Sequence, residues 1–344
     1  MIPRPSPSVD PLSRSICSAD GSVSFFFRRT NNGVHVRWTS MVEQKSTEHA
    51  VVFRNRGDFE EFLAIGDLRF KHTVLCLEAR RAFDSLMDLE PGPSLPLAEL
   101  VAVDGFADRA LSIISKVPAA TEEAEIVEIL DEAKAALGVD HAAFVSFIRE
   151  DDAMESFRFL LACNPAWCIE YRENGWFAHD PWLLYGQDHT EPICASEIPA
   201  HTKSQETVAT LARKFGIASA YIVPAPSSSS VSRIGILMLG SQHERFFESS
   251  AIAPIRFLGR SLAMELHEWW VRRARQEIIE NCRLTEDDIE LLRYERSGLG
   301  SKEIARKMGT TPSAVDSKFQ RINAKFRTPT RKATARIAAE YGVI

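Results

Sequence analysis

The sequence has no apolar run long enough to cross a membrane and no cysteine or histidine pattern that would hold a metal. Its longest apolar stretch, Ile234 to Leu239, suits a buried strand, whereas a helix that spans a bilayer needs about 20 residues. The six Cys include no CxxC pair, and the nine His are dispersed. We therefore expect free thiols in a reducing cytoplasm, with no disulfide framework, no metal site and no cofactor.

The N-terminal segment MIPRPSPSVD lacks the apolar core of a secretory signal. The chain of 344 residues is long enough for two or three domains. Residues 1–22 are rich in Pro and Ser, so we expect disorder there, and Met41 and Met87 are alternative starts. No motif stands out in residues 1–95, which we describe as a partly disordered N-terminal extension of unknown function. The sequence EPGPSLP at 90–96 is typical of a linker.

The net charge of -6 conceals an uneven distribution. Residues 101–270 carry 13 Lys and Arg against 24 Asp and Glu, whereas residues 281–344 carry 13 against 8. An acidic body joined to a small basic domain is a pattern found in proteins that bind nucleic acid.

Strand and helix patterns alternate along the chain. Apolar or alternating segments predict strands at Val23–Phe27, Val34–Trp38, Val51–Phe53, His141–Ile148, Phe157–Cys163, Tyr221–Pro224 and Arg233–Leu239. Helices are expected at Ala119–Leu137, with Thr121 as N-cap, and at Phe247–Cys282. For residues 96–270 this order predicts an α+β fold, in which helices cover an antiparallel sheet.

After a linker at 271–281, residues 282–344 predict four short helices. Thr285 and Asp288 form a capping-box pattern at the first helix. A sharp corner, Gly309-Thr310-Thr311, separates two amphipathic segments, and Pro312 opens the second of them. This helix-turn-helix arrangement would place the second segment in the major groove of DNA.

The apolar stripe of the second segment leaves a distinct outward face. Val315, Phe319, Ile322 and Phe326 recur at helical spacing. The residues predicted to contact DNA are Ser313, Ser317, Lys318, Gln320, Arg321 and Lys325. Asp316 would either be repelled by phosphate or accept from a cytosine amino group. The alternative is a helical protein-interaction domain with a solvated charged face.

The segment LTEDDIELLRYERSGLGSKEIARKMGTTPSAVDSKFQRINAKF resembles the C-terminal helix-turn-helix of the LuxR family. Leu284, Gly298, Ile304, Val315 and Lys325 are among the residues that align with it. A second segment, NPAWCIEYRENGWFAHDPW, resembles the autoinducer-binding domain of the quorum-sensing LuxR regulators. Its Trp, Tyr and Asp-Pro follow the family spacing without a gap. Together the two resemblances imply a dimeric, cytoplasmic transcription regulator that binds duplex DNA and a small-molecule signal, and that is not an enzyme.

The resemblance also implies roles for individual residues. Trp167 would donate to the lactone carbonyl of an acyl-homoserine lactone, Asp180 would accept from its amide N–H, and Tyr171 would line the acyl chain. The other expected pocket walls are Trp182, Ile193, Tyr221 and Met238. The purely structural alternatives are core packing for Trp167 and Tyr171 and a turn or helix cap for Asp180.

Three departures from the family pattern alter the expected pocket. Cys163 replaces a Tyr, Ala195 an aromatic residue and Ala220 a Gly. They favour a longer or aromatic acyl lactone, or a different ligand, and they also suit an orphan regulator or anti-activator that needs no ligand. A hydrolase built on Asp180, His179 and Ser204 has no supporting nucleophile motif.

Overall fold

The computed structural model describes residues 11–42, 45–70, 73–90, 95–148, 157–163, 167, 170–171, 173–227 and 233–344. Residues 1–10, most of the predicted 90–96 linker and residues 228–232, between two predicted strands, lie outside the described residues. Among those described, no helix is both long and apolar enough to span a bilayer, and no cluster of three or more potential metal ligands occurs.

The N-terminal extension contains a four-stranded antiparallel meander followed by two helices. Its elements are β1 Ser13–Cys17, β2 Val23–Thr30, β3 Gly33–Val42, β4 Lys45–Phe53, α1 Arg56–Phe70 and α2 Thr73–Met87. The helices cover one face of the sheet, where Phe59 and Phe83 stack with ring centroids 4.1 Å apart. The expectation of disorder over residues 1–22 is therefore wrong for β1, which pairs with β2.

The extension is docked on the domain that follows it. The side-chain amide of Asn31, at the β2–β3 turn, donates to Asp140 Oδ1 over 2.7 Å. The neighbouring Asn32 donates to the carbonyl of Ala135 over 3.0 Å. Since Ala50 of β4 also belongs to the core of the second domain, the extension is a structural part of the molecule.

The second domain is an α-β-α sandwich around a five-stranded antiparallel sheet. Its strands are β5 His141–Ile148, β6 Arg158–Ala162, β7 Ile193–Cys194, β8 Ser219–Ala225 and β9 Arg233–Ser241, in the spatial order β6-β5-β9-β8-β7. Its helices are α3 Leu97–Val101, α4 Phe106–Ile114, α5 Glu123–Ala136, α6 Pro181–Asp188 and α7 Lys203–Lys214. The predicted α+β class and antiparallel sheet are confirmed.

The sheet is buried on both faces, so its central strands have apolar residues at successive positions. One face packs against α4, α5 and a long helix, α8 Ala253–Asn281. The other packs against α6, α7 and the segment that carries Trp167. The N-cap of α5 is Glu122 rather than Thr121, because the Glu125 carboxylate accepts from the backbone N–H groups of both residues.

The long helix α8 connects the sandwich to the C-terminal domain. Trp269 and Trp270 are buried in the core beside the sheet, whereas Ile278 and Ile279 pack on the core of the C-terminal domain. The predicted linker at 271–281 is therefore helical. Pairs four residues apart, such as Arg273 with Glu277 at 3.2 Å, support the helix there.

Four helices form the C-terminal domain: α9 Glu286–Arg296, α10 Ser301–Lys307, α11 Pro312–Phe326 and α12 Arg331–Glu340. Thr285 and Asp288 make the predicted capping box. Thr311 caps α11, and Gly309 has the left-handed φ of +62° that the corner between α10 and α11 requires. The buried stripe consists of Val315, Phe319 and Ile322, so α10 and α11 have the arrangement of a helix-turn-helix.

The turn between β2 and β3 generates a test of this fold. Gly33 has φ +141°, and a Cβ there would overlap the carbonyl oxygen of Phe53. Gly33→Ala should therefore destabilise the extension strongly. Gly21→Ala is the matched control, because Gly21 also has positive φ (+70°) but no heavy atom lies within 4 Å of its added Cβ. We expect the control to cost about 1–2 kcal/mol in urea unfolding and Gly33→Ala to cost more; equal losses would contradict the overlap.

Candidate functional site

The aromatic and acidic residues of the Trp-Tyr-Asp-Pro segment converge on one face of the sheet. Trp167, Tyr171 and Asp180 are all buried, with 4%, 7% and 3% of their surface exposed. The rings of Trp167 and Tyr171 lie 5.1 Å apart. These residues close one end of a cavity of about 40 Å³, here called the inner cavity.

Most of the inner cavity wall is apolar. Besides the three residues above, it is lined by Ala143, Val145, Phe159, Leu161, Trp182, Leu183, Ile222, Ile236 and Met238. Asp180 is the one ionisable carboxylate among these lining residues. A pocket with a hydrophobic wall and a few fixed polar groups is typical of small-molecule sites.

Asp180 has two structural roles as well as its place in the cavity wall. Its Oδ1 accepts from the backbone N–H of Trp182 over 2.8 Å, so it caps α6. Its Oδ2 accepts from the hydroxyl of Tyr171 over 2.6 Å. Burial raises the pKa of Asp180 to about 6, although the hydrogen bonds from Tyr171 and from the helix N-terminus oppose that rise.

Tyr171 is held in its neutral form. Burial, together with the adjacent Asp180 charge, raises the pKa of this phenol well above its ordinary value. Its hydroxyl proton is therefore directed at Asp180, and its ring packs edge-on to Phe159 at 6.3 Å. The pair forms a polar contact inside an otherwise apolar wall.

The residues predicted to line the pocket lie on both faces of the sheet. Trp182 and Met238 line the inner cavity, and Ile193 packs against the same core. Tyr221 is a correction, because it lies on the opposite face of the sheet and stacks on Phe247 at 5.7 Å. Alternation along β8 is the physical reason, since successive side chains point to opposite faces.

A second cavity of about 260 Å³ adjoins the first and was not predicted from the sequence. It is lined by Trp182, Ala195, Arg213 and Ala220, among others. The sequence did contain a signal for it, because Ala195 stands where the resemblance expects an aromatic ring. Cys163, a second departure, is half-buried against the core of the inner cavity.

The outward face of α11 has the predicted exposure. Ser313, Ser317 and Gln320 are exposed. The carboxylate of Asp316 is hydrogen-bonded: its Oδ1 accepts from the Ser301 hydroxyl over 2.7 Å. Arg331 donates to the same Ser301 hydroxyl over 2.9 Å. The carboxylate is thereby tied to the start of α10, with 60% of its side chain still exposed.

The three cations predicted for α11 pair with carboxylates in the first turn of α9. Lys318 pairs with Asp287 at 3.0 Å. Arg321 and Lys325 both pair with Asp288, at 3.0 and 3.4 Å. Asp288 is buried, which by itself would raise its pKa, but the hydrogen bond from Thr285 and the two cations outweigh burial and lower it. Arg321 and Lys325 therefore neutralise a buried carboxylate, a role that the sequence reading did not foresee.

The raised pKa of Asp180 predicts how stability depends on pH. The carboxyl ionises near 3.8 in the unfolded chain and near 6 in the fold, so the folded state holds a proton that the unfolded state has released. Relative to Asp180→Asn, the free energy of unfolding should fall by about 2–3 kcal/mol as pH rises from 4 to 7. Urea unfolding across that range checks it; a constant difference between the two proteins would contradict it.

Comparison with known proteins agrees with the geometry of the site. The family model of the autoinducer-binding domain matches residues 122–268. Among solved structures, Escherichia coli SdiA is similar, with a TM-score of 0.55 and 16% sequence identity, over 70% of this chain and 99% of SdiA. SdiA in complex with octanoyl-rac-glycerol is similar with the same TM-score and identity, over 97% of its chain. No curated protein sequence matches the chain.

At this identity the structural similarity shows the fold, which extends beyond the matched domain into the helical C-terminal domain. The family match covers most of the sandwich, and residues 122–268 are similar to autoinducer-binding domains. The match agrees, over these residues, with the resemblance drawn from the sequence.

Proposed function

We propose that this protein is a ligand-responsive transcription regulator of the LuxR type. Its sandwich would bind an amide-bearing signal similar to an acyl-homoserine lactone, and its C-terminal domain would bind duplex DNA as part of a homodimer in the cytoplasm. The observation that carries the proposal is the convergence of Trp167, Tyr171 and Asp180 on an apolar cavity within an autoinducer-binding domain.

The proposed ligand contacts follow from the chemistry of the donors and acceptors. An ionised Asp180 is an acceptor only, and its carboxylate can accept more hydrogen bonds than those from Tyr171 and from the backbone at the start of α6. A ligand amide N–H would donate to this carboxylate, and the indole N–H of Trp167 would donate to a carbonyl. Because the amide favours the ionised carboxylate, affinity should rise as pH passes through 6.

The inner cavity must enlarge to take such a ligand. Its volume of about 40 Å³ is far below the roughly 300–1,000 Å³ of typical small-molecule sites. Side chains that only pack against one another, such as Phe159 and Met238, would have to move. The same observation favours the second candidate function, an orphan regulator that binds DNA without a ligand.

The ligand contacts can be tested by thermal shift with acyl-homoserine lactones of graded chain length. A ligand at 100 times its dissociation constant should stabilise the wild type by about 2.7 kcal/mol. Asp180→Asn and Trp167→Phe should weaken binding, since each removes one polar partner and largely keeps the side-chain shape. Trp176→Phe is the control, because Trp176 packs against the same core but does not line the inner cavity.

Each outcome of that screen separates the candidate functions. Equal stabilisation of the wild type and all variants would show that the assigned polar contacts are wrong. Absence of stabilisation of the wild type by every lactone would favour the orphan regulator.

The DNA-binding proposal rests on the exposed face of α11. Ser313, Ser317 and Gln320 are small or polar and exposed, so they could approach base edges. Asp316 is oriented by Ser301, which favours its role as an acceptor for a base amino group over a freely moving charge. Lys318 could leave Asp287 and meet a phosphate, because Asp287 is exposed and water can hydrate its carboxylate when the pair breaks.

The dimer proposal rests on an exposed face of the long helix α8. The stripe from Trp269 to Ile279 is used within the chain, by the sandwich core and the C-terminal core. Phe257 and Met264 are exposed by 68% and 37%, and they lie seven residues apart on one face of α8. We propose that this face pairs with the same face of a second copy.

The ion pair of Lys318 generates a test of DNA binding. Asp287→Asn should strengthen binding about two- to fivefold, because Lys318 then meets phosphate without losing a partner. Glu286→Gln is the matched control, since it removes the same charge from the adjacent exposed position. Titration of a selected duplex at several salt concentrations measures both. Equal gains from the two variants would mean that only net charge matters and that the ion pair is irrelevant.

A further inference from the structure

The exposed stripe of α11 carries a negative charge where a DNA-binding surface usually carries positive charge. Ser313, Asp316, Ser317 and Gln320 are all exposed, and their spacing of three or four residues places them side by side along the helix. Asp316 is the charged member, with 60% of its side chain exposed. In a helix-turn-helix, the N-terminal part of the second helix contacts base edges. A carboxylate at this place in α11 therefore needs a hydrogen-bond donor in the groove.

Asp316 is held by contacts with the starts of two other helices. Its Oδ1 accepts from the hydroxyl of Ser301, the first residue of α10, over 2.7 Å. Arg331, the first residue of α12, donates to the same hydroxyl over 2.9 Å. Because this hydroxyl links the three helices, the side chain of Asp316 has already lost part of its rotamer entropy before any partner binds. A side chain that is ordered in advance loses less free energy on binding.

The guanidinium of Arg331 neutralises Asp316 only in part. It lies 4.0 Å from Asp316 Oδ1 but only 2.9 Å from Glu295 Oε2, and the Glu295 side chain is 4% exposed. A buried carboxylate interacts with its partner more strongly than an exposed one does, so Arg331 mainly compensates Glu295. Within the part of the chain that the structure describes, Oδ2 of Asp316 accepts no hydrogen bond. An acceptor with uncompensated negative charge therefore remains on the surface of α11.

We propose that Asp316 selects a cytosine in the DNA site through the amino group of that base, with Ser301 as its positioning residue. An ionised carboxylate accepts hydrogen bonds and cannot donate them. In the major groove the donors are cytosine N4 and adenine N6, and adenine N6 lies beside N7, an acceptor that repels a carboxylate. Cytosine is therefore the base that fits. The inference rests on the proposed DNA binding, and it names the base that this residue reads.

A placement of Asp316 against the phosphate backbone would have a different consequence. Phosphate oxygens carry no sequence information, so repulsion between them and the carboxylate would weaken binding to every duplex about equally. Removal of the charge would then strengthen binding to all sequences. Contact with cytosine instead predicts a loss of discrimination at a single base position.

Replacement of one amino group on the DNA tests the contact directly. A reference duplex is selected from a random library with the full-length protein. Each of its cytosines is then replaced in turn by 2-pyrimidinone, which is cytosine without the amino group. By fluorescence anisotropy we expect one position at which this replacement weakens binding of the wild type about tenfold. Asp316→Ala should bind the two duplexes equally, because it has no acceptor to lose.

A change of specificity provides a second test. Asp316→Asn keeps the shape of the side chain and adds an amino donor, and an amide suits the N6 and N7 of adenine. A second selection with this variant should therefore enrich adenine in place of cytosine at the same position. Glu290→Gln is the matched control, since it removes the same charge from an exposed residue of α9. It should retain the preference for cytosine.

The positioning role of Ser301 has its own readout. Ser301→Ala removes the hydroxyl that holds Asp316 Oδ1, so it should reduce the tenfold ratio between the two duplexes to about threefold. Ser301→Thr should restore the ratio, because threonine supplies a hydroxyl at the same place. A general loss of helix stability would lower the affinity for both duplexes and leave their ratio unchanged.

The outcomes distinguish this inference from the proposed function. If the selection enriches no motif, the proposed DNA binding fails and the inference fails with it. If a motif is enriched but Asp316→Ala discriminates at every cytosine as the wild type does, DNA binding stands and only the inference is overturned. An equal gain in affinity of Asp316→Asn for every duplex would place the carboxylate against the backbone and would also overturn it.

Discussion

The polar centre of the ligand domain depends on one buried carboxylate. Asp180 caps α6 through the Trp182 N–H and accepts from the hydroxyl of Tyr171, so it ties together two segments that flank the inner cavity. Removing a helix cap costs about 1 kcal/mol on average, and burying a charge without partners costs more. The same two bonds that stabilise the local fold also fix the orientation of the acceptor that a ligand would meet. Asp180 can therefore cap α6 and also serve as a hydrogen-bond acceptor in a ligand site.

The two faces of the five-stranded sheet pack against different parts of the protein. The face that includes Ile222, Ile236 and Met238 surrounds the inner cavity. The opposite face includes Tyr221 and packs against the long helix α8, which continues into the core of the C-terminal domain. Expansion of the inner cavity would press on a sheet that is packed tightly on both sides, and interiors at native density transmit strain. The long helix is the element that would carry such a displacement to the C-terminal domain.

Local patterns in the sequence predicted much of the fold. Period-two and period-3.6 apolar patterns located strands such as His141–Ile148 and helices such as Pro312–Phe326. The cap at Thr285 followed from side-chain chemistry within four residues. The ungapped family spacing brought Trp167, Tyr171 and Asp180 together as expected.

The features that were missed depend on contacts between distant parts of the chain. Tyr221 was placed on the wrong face because the face of a strand is set by its register with neighbouring strands, which one sequence does not specify. The bond from Asn31 to Asp140 joins residues 109 positions apart. It could not be inferred from an extension that carries no motif. The second cavity, of about 260 Å³, likewise depends on how α7 and the segment at 244–248 meet the sheet edge.

The charge of the C-terminal domain shows why counting residues misleads about a binding surface. Its excess of Lys and Arg suggested a face free to meet phosphate, yet Asp288 alone engages Arg321 and Lys325. Because Asp288 is buried and both cations pair with it, these contacts hold α11 against α9. If either cation moved away to bind a phosphate, the negative charge of Asp288 would be only partly neutralised. Lys318 and the surface-exposed Asp287 form a pair that exchanges more readily. The C-terminal domain therefore has fewer cations free for phosphate contacts than its composition implies, and ion pairs with the first turn of α9 help to orient α11.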